Sequence, residues 1–368
     1  MPEQRRRPDA AAMIDDVRQL VKISSPTSEL ESVAKAISAA NRQLLDRVGS
    51  EGEIKVINGR PLLHWGSAQP AVLLLCHLDT VWPHGSFTPD WEIAGDRMRG
   101  PGVFDMKAGF VQGIHAIASL LPELNEKLDQ VALIATSDEE TGSASSQKYL
   151  EETAASARAV FVLEASLAGK LKTARSGTSM YRLEVLGVAV HAGLEPEKGI
   201  NATLEISYVI PLIAALSKPD IGTTVTPTVL QSGTTLNTVP GHAVLDVDVR
   251  AKSAAEQIRV DSQIRTIAGL RGEFRWSGGI NRPPFESTAS ASLYELAEKV
   301  ASELGLPPVG QANVGGASDG NFTAALGIPT IDGMGAVGEG AHAPGEWASI
   351  KGMVERSELL AEMIRALL

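Results

Sequence analysis

Three short apolar runs constrain this chain more than any other feature, because each is followed by a histidine or acids. AVLLLC (71–76) leads into His77-Leu78-Asp79, QVALIAT (130–136) into Asp138-Glu139-Glu140, and RAVFVL (158–163) directly into Glu164. The runs are continuous rather than alternating, as expected of strands buried on both faces. GIPTID (327–332) is a weaker run of the same kind. Helical apolar spacing surrounds them at 11–22, 29–47, 106–121, 143–156 and about 346–368, with Ser28 a candidate N-cap for the second helix. Strands alternating with helices imply an α/β core with a mixed, largely parallel sheet.

The pattern changes near residue 177. MYRLEVLG (180–187) and AVLDVDVR (243–250) alternate apolar with polar residues, which suits half-buried antiparallel strands. Between them lies a helical stretch (201–216) that Pro211 should interrupt, and FRWSGGINRPPFE (274–286) reads as a strand running into a proline exit. A chain of 368 residues is long for a single core. The expectation is a discontinuous α/β domain (1–176 and 286–368) carrying an inserted α+β domain (177–285).

The formal net charge of −11 argues against the basic face that nucleic acid requires. It leaves room for acidic substrates, since a local arginine binds a carboxylate on an acidic protein. The single cysteine, Cys76, rules out an internal disulfide framework and a cysteine-based zinc ribbon. The arginines at 5–7 precede no apolar h-region and no run approaches membrane-spanning length, so the expected location is the cytoplasm.

In open α/β sheets, sites form at the carboxyl ends of strands. Those ends deliver His77, Asp79, Glu139, Glu140 and Glu164; the glycine-rich loop 100–109 brings Asp105, and the small-residue loop 338–346 brings His342. Each has an ordinary reading. A lone histidine is usually a hydrogen-bonded structural residue, Asp105 could cap the following helix, and the acids at 138–140 could face a helix N-terminus. Glu164, at the end of a buried run, needs a compensating partner. Taken together, two histidines and three acids form a nitrogen and oxygen donor set. That set suits catalytic zinc, or cobalt or manganese, better than structural zinc. Asp79 is placed to reach the second imidazole nitrogen of His77. No Gly-x-Ser-x-Gly elbow is present, and Cys76 lies in an apolar run unsuited to a reactive thiolate.

At these segments the sequence resembles the M20 metallopeptidase family, nearest its glutamate carboxypeptidase branch. The likeness rests on HLDT (77–80), GPGVFDMK (100–107), DEETG (138–142), Glu164 and His342, in the family's order. It implies a zinc aminopeptidase-like catalytic domain and a lid that also makes a homodimer interface. It implies two zinc ions bridged by Asp105, with His77 and Glu164 completing one site and Glu140 and His342 the other. Glu139 becomes the general base, and the bond after Asp105 is expected to be cis. In the lid, His191 is similar to a histidine that polarises the scissile carbonyl in the partner's site. Asn237 and Arg250 match residues near substrate, and Arg282 an arginine that binds a terminal carboxylate. Gly316, in GGASDGNF (315–322), belongs to a segment whose backbone approaches substrate. The implied substrate is an N-acyl amino acid or small peptide. The alternatives are an N-acyl-amino-acid deacylase, such as acetylornithine deacetylase or succinyl-diaminopimelate desuccinylase, and a non-catalytic metal-binding protein. The last is disfavoured because every ligand and the base are present.

Overall fold

The structure, a computed structural model, describes residues 8–368. The basic cluster at 5–7, which bears on the reading of the N-terminus, lies outside the described residues. The chain divides into two compact units. One comprises the described residues up to Ala174 with Glu286–Val314 and Ser318–Leu368; the other comprises Arg175–Phe285 with Gly315–Ala317. Gly315–Ala317 go with the second unit because Arg175 donates to the carbonyls of Gly316 and Ala317 at 3.1 and 3.3 Å.

The first unit is built on a six-stranded sheet in the order Glu53–Ile57, Arg60–Gly66, Val131–Thr136, Val72–His77, Ala159–Val162, Thr330–Ile331. The last four strands pair in parallel, and the first two join antiparallel as a hairpin. Each apolar run feeds two cores. Val72, Leu74 and Cys76 face the core made with helices Ala10–Val21, Leu30–Val48, Ala108–Leu124, Ala291–Glu303 and Ile350–Leu367. Leu73 and Leu75 face a smaller one covered by helix Gln147–Ala154. Burial on both faces is the physical reason these strands show no alternation. It also leaves their C-terminal ends as the places where polar side chains can emerge.

Helix starts differ from the sequence expectation in instructive ways. Ser28 does not cap the second helix; the cap position is Glu29, without a side-chain cap bond. Its neighbour Thr27 is instead pinned beside the site, donating its hydroxyl to Asp79 at 2.8 Å while Pro26 bridges to Thr80. The helix expected from 106 begins at Ala108, and the last helix at Ile350, capped by Ser349.

The second unit is a four-stranded antiparallel sheet in the order Thr224–Ser232, His242–Ala251, Gly177–Leu186, Glu273–Arg282. One face packs Leu183, Val185, Leu245 and Val247 against Ile206, Val209 and Ile213 of helix Ala202–Ala214 and Val260 and Ile264 of helix Ala254–Ile264. The other face is polar, with Arg182 paired across strands to Asp246. Pro211 does not interrupt the first of these helices. It removes one helical N–H, and burial of the apolar stripe outweighs that loss.

Candidate metal centre and active site

His77 is the last residue of its strand and, by alternation, points away from Cys76. From its buried ring Nδ1 donates to the Asp79 carbonyl oxygen at 2.9 Å; the Asp79 carboxylate is further, at 3.4 Å. The expected carboxylate–imidazole contact is therefore secondary to a backbone one. The Asp79 side chain has other duties, accepting from the Thr27 hydroxyl at 2.8 Å and from Glu140 N at 3.2 Å. It thereby ties the strand end at His77 to the turn that carries Glu139 and Glu140.

That turn separates three consecutive acids. Asp138 accepts from Ser145 N, Ser146 N and the Ser146 hydroxyl, so it organises the approach to the next helix. The helix-entry reading holds for Asp138 alone. Glu139 and Glu140, in the short helical turn Glu139–Thr141, face the histidines. Asp105 caps nothing: helix Ala108–Leu124 starts three residues later, and Asp105 has extended dihedrals inside an irregular turn. The Asp105–Met106 peptide bond is cis.

Asp105 lies between the two histidines. One carboxylate oxygen is 3.3 Å from His77 Nε2, and the other is 3.3 Å from His342 Nε2. Glu164 approaches the same His77 nitrogen at 3.4 Å, and Glu140 the same His342 nitrogen at 3.1 Å. A carboxylate oxygen of Glu139 lies within 4.8 Å of ligand atoms of both His77 and Glu164. Lys172 Nζ, 3.9 Å from Glu164, supplies part of the compensation a buried acid needs. His342 has a φ of 60°, the left-handed region that costs a non-glycine residue about 1–3 kcal/mol.

The electrostatics of the cluster ask for cations. Burial opposes charge on His77, yet the carboxylates of Asp105, Asp79 and Glu164 hold its pKa well above the ordinary value. The carboxylates of Asp105 and Glu140, facing its ring nitrogen, push His342 up to about 10. Burial pushes the Asp105 carboxyl upward, but His342 and His77 carry it far below its usual range. The distances fit metal ions better than hydrogen bonds. Ligand atoms at zinc bond lengths, about 2.0–2.1 Å, stand about 3.3 Å apart along the edges of a tetrahedron. The observed 3.1–3.4 Å separations match that spacing and exceed most good hydrogen bonds. Glu140 Oε1 is buried without a hydrogen-bond partner, which a metal would satisfy.

The second unit holds the other expected residues. His191 is exposed and its Nδ1 accepts from Gly193 N at 3.1 Å. Its strand Val190–His191 pairs with Thr238–Val239, and Ala192 N donates to the Asn237 carbonyl, so His191 and Asn237 are neighbours. Arg282 is buried opposite Thr178. Arg250 is held bidentately by Asp248, at 2.8 and 2.7 Å, which is a competing partner for the substrate role expected of it. Gly316 has open space around it: an added Cβ would meet only Arg175, at 4.0 Å. Among the described residues, no close backbone approach demands glycine there. Cys76 is buried core, its thiol pushed strongly upward by burial, hence inert.

One residue escaped the sequence reading. Glu346 is fully buried and accepts from four donors around Asp105. Its only sequence signal was its place at the end of the small-residue loop that carries His342.

Residues 73–366 match the model of Peptidase family M20/M25/M40. The chain belongs to this family. It is accordingly a metal-dependent hydrolase. It is 26% identical to carboxypeptidase G2 of Pseudomonas sp. (strain RS-16), over 96% of this chain and 88% of that protein. It is 29% identical to a succinyl-diaminopimelate desuccinylase of Verminephrobacter eiseniae (strain EF01-2), over 70% of this chain and 69% of that protein. The fold is shared with an M20 family metallo-carboxypeptidase from Sulfolobus solfataricus, with TM-score 0.75 and 17% identity over 96% of this chain and 99% of that one. It is shared too with a dinuclear metal-binding M20 peptidase from Bacillus subtilis, with TM-score 0.66 and 17% identity over 98% of each chain. Among the described residues, no helix is long and apolar enough to cross a membrane.

Proposed function

We propose that this family member is a two-metal hydrolase that cuts an amide or peptide bond next to a C-terminal amino acid, in the manner of a glutamate carboxypeptidase. The observation that carries the reading is Asp105, whose two carboxylate oxygens each face a different histidine at 3.3 Å. His77, Asp105 and Glu164 would hold one zinc ion, and Asp105, Glu140 and His342 the other; cobalt and manganese suit the same donors. When bound, the metal pair supplies Lewis-acid polarisation and acidified water.

The residues of the chain do the rest. Glu139, buried beside His77 and Glu164, accepts a proton as water attacks the carbonyl carbon. It returns that proton to the leaving nitrogen as the carbon–nitrogen bond breaks. Arg282 binds the substrate's terminal carboxylate and so sets where the cut falls. His191 stabilises the developing oxyanion from the lid of a partner subunit. A dimer through the lid is supported by exposed apolar residues there. Leu204, Tyr208 and Leu212 form one stripe along a helix, and Val229 and Leu230 lie on the edge strand.

The test is release of the C-terminal amino acid from N-acyl and N-aroyl glutamates, aspartates and neutral amino acids, by zinc-loaded and chelator-stripped protein. Zinc-dependent turnover that prefers glutamate is the expected result. The desuccinylase relative favours a second reading, an N-acyl-amino-acid deacylase. Zinc-dependent turnover of the non-glutamate substrates would establish that branch instead. No turnover by fully loaded protein would overturn both.

A further inference from the structure

We propose that Glu346 is a positioning residue that clamps together the three loops bearing the metal ligands and fixes the direction in which Asp105 presents its carboxylate. The inference rests on the two-metal reading above. The Glu346 side chain is fully buried. One of its oxygens accepts from Phe104 N at 2.9 Å and Asp105 N at 3.1 Å. The other accepts from Gly102 N at 3.1 Å and from the Trp82 indole N–H at 2.8 Å.

These donors come from two parts of the site, and Glu346 from a third. Trp82 follows the His77–Asp79 strand end. Gly102, Phe104 and Asp105 form the loop that carries the bridging aspartate. Glu346 itself closes the loop that begins before His342. A single carboxylate therefore links the segments of His77, Asp105 and His342. Successive backbone N–H groups converging on one anion form a nest, here filled by a side chain of the same chain. Gly102 makes the nest possible: its φ is 72°, and a Cβ there would come within 2.5 Å of Thr80 Cγ2.

The charge is balanced locally. Lys107 is also fully buried, donating to the Ile23 carbonyl at 2.9 Å and more weakly to the Pro101 carbonyl at 3.4 Å. Two buried opposite charges flank a loop with irregular dihedrals at Asp105 and Met106. Such an arrangement is costly to bury, and simple loop closure does not require it. What it accomplishes is orientation. Asp105 shows one oxygen to each histidine, and holding its backbone N–H fixes the base from which that carboxylate is aimed.

The test compares metal binding in the full chain and in Glu346→Gln, by titrating zinc into chelator-stripped protein, alongside kcat, KM and thermal melting. Glutamine keeps the size but turns an amide donor toward backbone donors, breaking about half of the clamp. Expected are a folded variant, zinc affinity at one or both sites weakened about 10–100-fold, and kcat lowered with KM nearly unchanged. Trp82→Phe removes one donor and should shift affinity in the same direction by less. A Glu346→Gln chain that melts earlier but binds two zinc ions with wild-type affinity would overturn the clamp and leave the two-metal reading standing. If Glu346→Gln does not fold, Trp82→Phe decides in the same way: weakened zinc affinity supports the clamp, and unchanged affinity overturns it. A wild-type chain that binds fewer than two zinc ions would overturn the two-metal reading and the clamp together.

Discussion

Glu139 and Glu140 are consecutive, yet a single turn of helix sends one toward His77 and Glu164 and the other toward His342. The difference predicts distinct phenotypes. Glu139→Gln should bind two metal ions with near-normal affinity and lose about 10²–10⁴ in kcat, the span of general-base catalysis. Metal analysis beside steady-state kinetics checks this, and full turnover would remove Glu139 from the base role. His342→Ala should differ by losing metal, retaining about one equivalent per chain, as well as turnover. Glu164 was legible because a buried run ending in an acid needs a partner or a metal, whereas Asp105 and His342, on loops, stood out as ligands through the family resemblance. Asp79 was legible in position but not in bonding, since backbone geometry decides whether its carbonyl or its carboxylate meets His77. Glu346 was not legible: it ends no strand, and nothing local reveals that four donors from distant segments converge on it.

At the scale of elements, burial on both faces explains why the parallel strands could be found and why their helices were found with shifted ends. Helix starts depend on local detail that periodicity does not show: Ser28, the expected cap, leaves that position to Glu29, which makes no side-chain cap bond. The hairpin over Glu53–Gly66 was missed, although Asn58-Gly59, with φ of 49° and 81°, is a readable two-residue turn. One contact between elements has a pH signature. Asp16 on the first helix accepts from Arg47 on the second at 2.7 and 2.9 Å and contacts His115 on the third at 2.7 Å. Burial raises the Asp16 pKa, but His115 and Arg47 bring it below the ordinary 3.8. A carboxylate with a lowered folded pKa stabilises the fold above its unfolded pKa. That contribution is lost as pH falls through the lowered value. Asp16→Asn should therefore cost about 2–3 kcal/mol at pH 7, and the gap from wild type should narrow below about pH 4. Urea titrations across that range test it; a gap independent of pH would assign the cost to packing.

At the scale of the molecule, the second unit looks separable. Arg175 and Phe285 exchange backbone hydrogen bonds at 2.9 and 3.0 Å, so the chain enters and leaves this unit side by side. With its own sheet, helices and core, residues 175–285 expressed alone should melt cooperatively. Broad, non-cooperative loss of circular dichroism would refute independence.

The proposed dimer raises the question whether the active site belongs to one chain or two. If the Leu204–Tyr208–Leu212 stripe is the dimer seam, Leu204→Glu with Leu212→Glu should convert dimer to monomer by light scattering while the protein stays folded. If His191 acts in the partner's site, the monomer should lose turnover as His191→Ala does, with metal content unchanged in both. A mixing experiment separates this from a general loss of stability. His191→Ala and Glu139→Gln chains should each be inactive, but exchange of subunits should produce dimers in which one site has both residues intact. Half of randomly exchanged dimers are mixed, and each has one complete site, so activity should return to about a quarter of wild type. Recovery would require a site shared across subunits. No recovery, with exchange demonstrated by mass spectrometry, would confine His191 to its own chain or to the surface.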